Sequence, residues 1–153
     1  MRILVDTNII LRLAQRDSAQ RPETVSAIAN LSSAKYDICV VPHVMFEYWV
    51  VATRPIENNG LGMIVPDVQA SIALLLRDFV LLPDATDLFD IWLSVVSSHN
   101  VKGRTAHDAR LVAAMHGHAI ETILTFNTSD FARYSAIKAV SPVDHETVSK
   151  LLG

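Results

Sequence analysis

The sequence predicts an α/β fold built on a parallel sheet, on three observations. Short apolar runs of strand length (ILV, ICVV, FVLL, TIL and IKAV) recur along the chain. Longer segments with helical periodicity separate them, which is the pattern of successive βαβ units. All six prolines fall at helix starts, in one loop or just after a strand, never inside a run that must hydrogen-bond on both edges.

Residues 2–6 read as a short buried strand, followed by a helix over about 7–16 through Ile9, Ile10 and Leu13. A second helix spans 22–32, with Pro22 suited to its first turn. DICVV, at 37–41, is the next strand, and Pro42 starts a helix running to about residue 52. TRPIENNGLGM clusters Pro, Asn and Gly and reads as a loop. Helix resumes at Pro66, and FVLL before Pro83 forms a third strand. Helical periodicity covers 85–99 and 105–116, TILTF is a fourth strand, IKAV a short fifth, and residues 144–152 a closing amphipathic helix. No repeat, linker or low-complexity segment divides the chain, so 1–153 is expected to be one domain.

At 153 residues and 50% hydrophobic content, a chain buries enough surface to fold without disulfide or structural metal. The lone cysteine, Cys39, lies in an apolar run and reads as a buried thiol. One cysteine excludes an internal disulfide and fits a reducing, cytoplasmic compartment. No apolar stretch approaches the ~18 residues of a membrane helix, so no membrane partner is expected. Net charge is −3, which by itself does not suggest nucleic acid. Setting aside four acids for one metal pocket leaves the rest slightly basic, so local arrangement has to decide.

Asp6 directly follows Ile3-Leu4-Val5, where an ionised carboxylate is costly unless paired. Glu47 is the one acid in VPHVMFEYWVVA, a helix apolar all round and therefore expected to be largely buried. The alternative places Glu47 on a narrow exposed stripe. Asp108, in GRTAHDARLVAAM, also fits a capping box with Thr105 as N-cap. Asn127 and Asp130 follow the strand TIL, where Asx residues commonly make turns. Ligands of parallel sheets bind beyond the carboxyl ends of strands, at a topological switch point. Acids at the ends of separate elements can therefore converge on one crevice, where they repel and raise each other's pKa unless a cation intervenes. Oxygen-only ligation suits Mg²⁺ or Mn²⁺, and such a site predicts metal-assisted phosphodiester hydrolysis.

These motifs resemble the PIN-domain ribonucleases, and among them the VapC-type toxins of toxin–antitoxin pairs. LVDTN resembles the first acidic motif with Asp6, the apolar helix the second with Glu47, and HDARLVAAM the third with Asp108. LTFNTSDF resembles the last motif, and ATRPIENNGLGM a loop of one VapC-like subgroup. The resemblance implies a three-layer sandwich, a central and mainly parallel sheet flanked by helices. It also implies that Asp6, Glu47 and Asp108 hold one or two Mg²⁺ (or Mn²⁺) ions for RNA cleavage to 5′ phosphate and 3′ hydroxyl. Thr7, Asn8 and Thr125 would orient the carboxylates. One departure is that the family's fourth acid stands either two residues after that Thr or slightly later. Here the near position is Asn127 and the later one Asp130, so either would complete the site. A homodimer and an antitoxin covering the crevice are further implications. Arg12, Arg16, Lys102, Arg104 and Arg110 lie near the acidic motifs in sequence and are candidate RNA contacts, though any one also reads as a surface solubiliser.

A haloacid-dehalogenase-like phosphatase would want a second acid where Asn8 stands. A response-regulator receiver would want paired acids at the first strand, and Gly-rich nucleotide turns are missing. His116-Gly117-His118 reads as a helix end with Gly117 as its C-cap rather than a zinc site. Phe46, Tyr48 and Trp49 read as core before they read as base-stacking groups, and Phe89 and Trp92 as core or a dimer face. The alternative from another class is a catalytically silent PIN scaffold acting as a binding or assembly module.

Overall fold

A computed structural model describes residues 1–152. The elements run β1 (Arg2–Val5), α1 (Thr7–Ala14), α2 (Arg21–Ser33), β2 (Asp37–Val40), α3 (Pro42–Thr53), α4 (Val65–Asp78), β3 (Val80–Leu81), α5 (Leu88–Ser98), α6 (Thr105–Gly117), β4 (Thr122–Leu124), β5 (Lys138–Val140) and α7 (His145–Leu152). Short 3-10 turns lie at Ile56–Asn58 and Thr128–Phe131. No helix is long and apolar enough to cross a membrane among the described residues.

The sheet is parallel throughout, with strand order β3-β2-β1-β4-β5. Ile3, Leu4 and Val5 are completely buried, which suits a central strand covered on both faces. The chain builds outward from β1 through β2 to β3, then returns by way of α5 and α6 to β4 on the other side. That reversal makes the carboxyl ends of β1 and β4 the switch point. The two strands meet there: Leu4 pairs with Ile123, Val5 pairs with Leu124, and the Asp6 N–H donates to the Leu124 carbonyl at 3.0 Å. α1 packs on α2 and α3, while α5 and α6 pack closely on each other.

α6 follows from its sequence. Ala109, Leu111, Val112, Ala113, Ala114 and Met115 are all buried, and their small average size lets the helix lie deep in the fold. Three expectations need correction around it. The helix α5 begins at Leu88 rather than at 85. The Thr105–Asp108 capping box does not form: Thr105 is already helical, and its hydroxyl donates back to the Lys102 carbonyl at 2.8 Å. Asp108 is thus free of a capping duty. Gly117 is the last helical residue rather than the C-cap, and the left-handed position falls at Ala119 (φ 53°). Gly117 is used for space, since a Cβ there would sit 3.1 Å from the Ala85 methyl and 3.5 Å from Ile91.

α3 is less buried than its composition suggests. Val44, Met45, Tyr48 and Ala52 face the core, but Phe46 is 59% and Val50 54% exposed. Those two share a face with Glu47, because that stripe borders a cavity instead of the core. On α5, Phe89 is exposed, while Trp92 is half-buried and donates its indole N–H to the Ala106 carbonyl.

Candidate active site

Asp6 directly follows β1 and caps α1, so one side chain serves the strand-to-helix corner and lines the switch-point crevice. Its Oδ1 accepts the Thr7 backbone N–H at 2.6 Å. Its Oδ2 accepts the Thr125 hydroxyl at 2.7 Å and the Asn8 amide at 3.0 Å. These donors favour the charged form. Burial nevertheless outweighs them and, with repulsion from Glu47 and Asp108, pushes the Asp6 pKa up.

Glu47, reached from α3, shares Thr7 with Asp6: the Thr7 hydroxyl donates to Glu47 Oε2 at 2.6 Å. Its other oxygen lies 3.3 Å from His43 Nε2, one turn earlier on the same helix. The hydrogen bond from His43 leads the effects that hold Glu47 below the usual range, against partial burial. Glu47 is therefore half-exposed and lines the cavity, so its stripe of the helix is neither core nor open surface. Asp108, in the first turn of α6, goes the other way. Burial, then the charges of Asp130 and Glu47, raise its pKa.

Thr125, completely buried after β4, ties the remaining polar groups together. Its oxygen accepts the Asn8 amide at 3.1 Å and the Asn127 backbone N–H at 3.0 Å while donating to Asp6. Asn8 Oδ1 in turn accepts the Phe126 N–H at 3.2 Å. Asp6, Glu47, Asp108 and Asp130 all line one cavity of about 450 Å³, together with Thr7, Asn8, Asn127 and His43.

The structure does not bring the expected cations there. Among the described residues, Arg12, Arg16, Lys102, Arg104 and Arg110 do not line this cavity. Arg12 is bound to Gln15 and Gln20, and Arg110 to Asp84 at 2.8 Å. Arg16 borders cavities elsewhere. Two residues that sequence reasoning passed over, His43 and Arg54, do line it. The available signal was helical phase: they stand four residues before and seven after Glu47.

The donor set fits a small hard cation. Every acid facing the cavity offers oxygen, and Asp6 and Asp108, raised first by burial and then by neighbouring carboxylates, would be eased by a cation among them. Among the described residues no three His, Cys, Asp or Glu side chains are arranged to hold an ion unaided.

A family model for the PIN domain matches residues 3–137. Comparison with curated proteins finds no match. Among solved structures, the chain is similar to one in VapBC2 from Rickettsia felis bound to a DNA fragment from their promoter, with TM-score 0.68 and 14% identity over 92% of this chain and 98% of that one. A toxin–antitoxin complex from Klebsiella pneumoniae gives TM-score 0.63 and 21% identity, covering 92% and 97%. VapC20 from Mycobacterium tuberculosis, described as a sarcin–ricin-loop-cleaving toxin, gives 0.63 and 19%, covering 86% and 95%. At these identities the structural likeness is one of fold. With the family match spanning most of its length and the acids meeting at the switch point, this chain belongs to the PIN-domain family.

Proposed function

We propose that the chain is a metal-dependent endoribonuclease and the toxin of a toxin–antitoxin pair. The observation that carries this is the convergence of four acids from four elements on one cavity at the β1–β4 switch point. In this reading Asp6, Glu47 and Asp108 hold Mg²⁺ or Mn²⁺, which when bound supplies a water activated near neutral pH and charge neutralisation at the phosphate. Asp130 is the fourth acid: its charge is felt by Asp108, whereas Asn127 lines the cavity and donates its backbone N–H to Thr125.

The chain's own groups do the positioning. Thr7 holds Asp6 and Glu47 at once, through its N–H and its hydroxyl. Thr125 and Asn8 fix the second Asp6 oxygen. His43 keeps Glu47 ionised. The substrate is RNA, with an antitoxin and a second copy of the chain as partners. The solved neighbours named as toxin–antitoxin complexes support the antitoxin. The same reading treats residues 1–153 as one PIN-like unit and places it in the cytoplasm, in keeping with the free, buried Cys39.

The test is cleavage of structured transfer and ribosomal RNAs by purified protein with Mg²⁺ or Mn²⁺, with EDTA, and by Asp6→Asn. Metal-dependent cleavage lost in the variant is expected. Wild type and variant equally inert with either metal would replace the nuclease by a silent scaffold.

A further inference from the structure

We propose that Arg54 anchors the substrate strand, its guanidinium binding the phosphate that flanks the scissile one and so setting where along the RNA the carboxylates act. The inference rests on the nuclease reading. Among the described residues Arg54 is the one Lys or Arg that lines the carboxylate cavity. It is half-buried, yet it has no ion-pair or side-chain hydrogen-bond partner there. The other half-buried arginines are committed, Arg12 to glutamines, Arg21 to the Leu13 carbonyl and Arg110 to Asp84, and the arginines left without a partner elsewhere are exposed. An uncommitted guanidinium on the wall of a cavity that four acids also line is available to a ligand of that cavity, and its planar fork matches phosphate oxygens.

Its position is built. Arg54 caps α3 through its N–H to the Val50 carbonyl, and the following loop folds back over the helix end. Leu61 N–H donates to Val51, Gly62 N–H to Arg54 and Met63 N–H to Ala52, at 2.8–3.0 Å. The turn is so close that a Cβ on Gly60 would lie 1.9 Å from the Arg54 carbonyl oxygen. This loop is a brace for the residue that carries the charge. The seven residues from Glu47 amount to two helical turns, about 10 Å of rise, which points to a flanking phosphate. Val50, Val51 and Leu11 line the cavity with these two residues and suit a sugar or base face.

Steady-state cleavage of one oligoribonucleotide tests this, with Arg54→Ala, Arg54→Lys and, as an equal-charge control, Arg77→Ala on another cavity. Arg54→Ala is expected to raise KM on the order of tenfold, and to lower the salt slope of binding by about 0.7, the value of one single-strand phosphate. Arg54→Lys keeps the slope and recovers part of KM, which a misfolded variant would not do. A neutral methylphosphonate at one flanking position should reproduce the loss in wild type and add nothing in Arg54→Ala. KM values matching Arg77→Ala, or additive losses at every methylphosphonate position, would overturn the anchor. So would an Arg54→Ala defect confined to binding an acidic peptide, which would make the occupant a protein. If wild type cuts no RNA, the nuclease reading fails, and anisotropy of the same labelled strand decides separately. Binding weakened by Arg54→Ala keeps the anchor, and equal or no binding removes it.

Discussion

At the scale of residues, Thr125 concentrates the most consequence in one atom. Its buried hydroxyl oxygen donates to Asp6 and accepts from Asn8 and from the Asn127 backbone. Thr125→Val preserves shape and removes all three. An Asp6 oxygen then loses a donor and a backbone N–H its acceptor, so a loss of about 1–3 kcal/mol in urea unfolding is expected. Because the hydroxyl orients a candidate metal-ligating carboxylate, kcat/KM should also fall roughly 10–100-fold, with Thr125→Ser restoring most of both. Unchanged activity at lowered stability would show that the hydroxyl is structural only. Asp6 and Glu47 could be singled out from sequence because an acid in apolar surroundings is an anomaly that demands a partner. Arg54 was legible only through its helical phase with Glu47, since an arginine between a helix end and a Pro-Asn-Gly loop otherwise has every reason to be solvated. Arg12 and Arg110 failed for the converse reason. They neighbour the acids in sequence, but their side chains are bound to Gln15, Gln20 and Asp84.

At the scale of elements, α3 and the loop after it act as one unit. The stripe Phe46, Glu47, Val50 and Arg54 borders the cavity, and the loop satisfies the carbonyls at the helix end. Gly60→Ala forces a methyl into the Arg54 carbonyl, so the brace must open. The expected result is a loss of more than about 2 kcal/mol together with weakened RNA binding, while Glu47, two turns earlier, keeps its contacts. Unfolding and KM read the two effects, and a stability loss with unchanged KM would separate the loop from the substrate. The periodicity of these elements was legible because a strand buried on both faces and an amphipathic helix write different patterns. Helix ends were less so. Thr105-x-x-Asp108 has capping-box spacing, but the box needs a non-helical backbone at Thr105 itself, and the helix already includes Thr105, with helical angles even at Arg104 before it. The burial of α3 was misjudged because a cavity wall and a core face have the same apolar composition.

At the scale of the whole molecule, the strand order is what joins Asp6 to Thr125, residues that lie far apart in sequence. Alternating strands and helices announced a parallel sheet, but not that β4 would insert beside β1. That order emerges only from packing. Its cost is a cluster of negative charge that the fold tolerates, and this makes a linkage prediction. Asp6 and Asp108 have folded pKa values raised above the ordinary 3.8, so the native state holds their protons more tightly than the unfolded chain. The stability they contribute is complete below 3.8 and is lost as pH rises through the folded values. Glu47 is lowered from 4.5, so its contribution is present above that value and disappears as pH falls through its folded pKa. Without divalent metal, the melting temperature of wild type relative to Asp108→Asn should therefore rise as pH is lowered from neutrality toward 3.8. Mg²⁺ or Mn²⁺ at a hundredfold excess over Kd should raise the wild-type melting temperature by roughly 5–10 °C near neutrality. That gain should shrink on acidification as protons compete for the same oxygens. A metal-induced shift independent of pH, or one retained in Asp6→Asn, would mean that the ion binds elsewhere and that the four acids carry their charge without it.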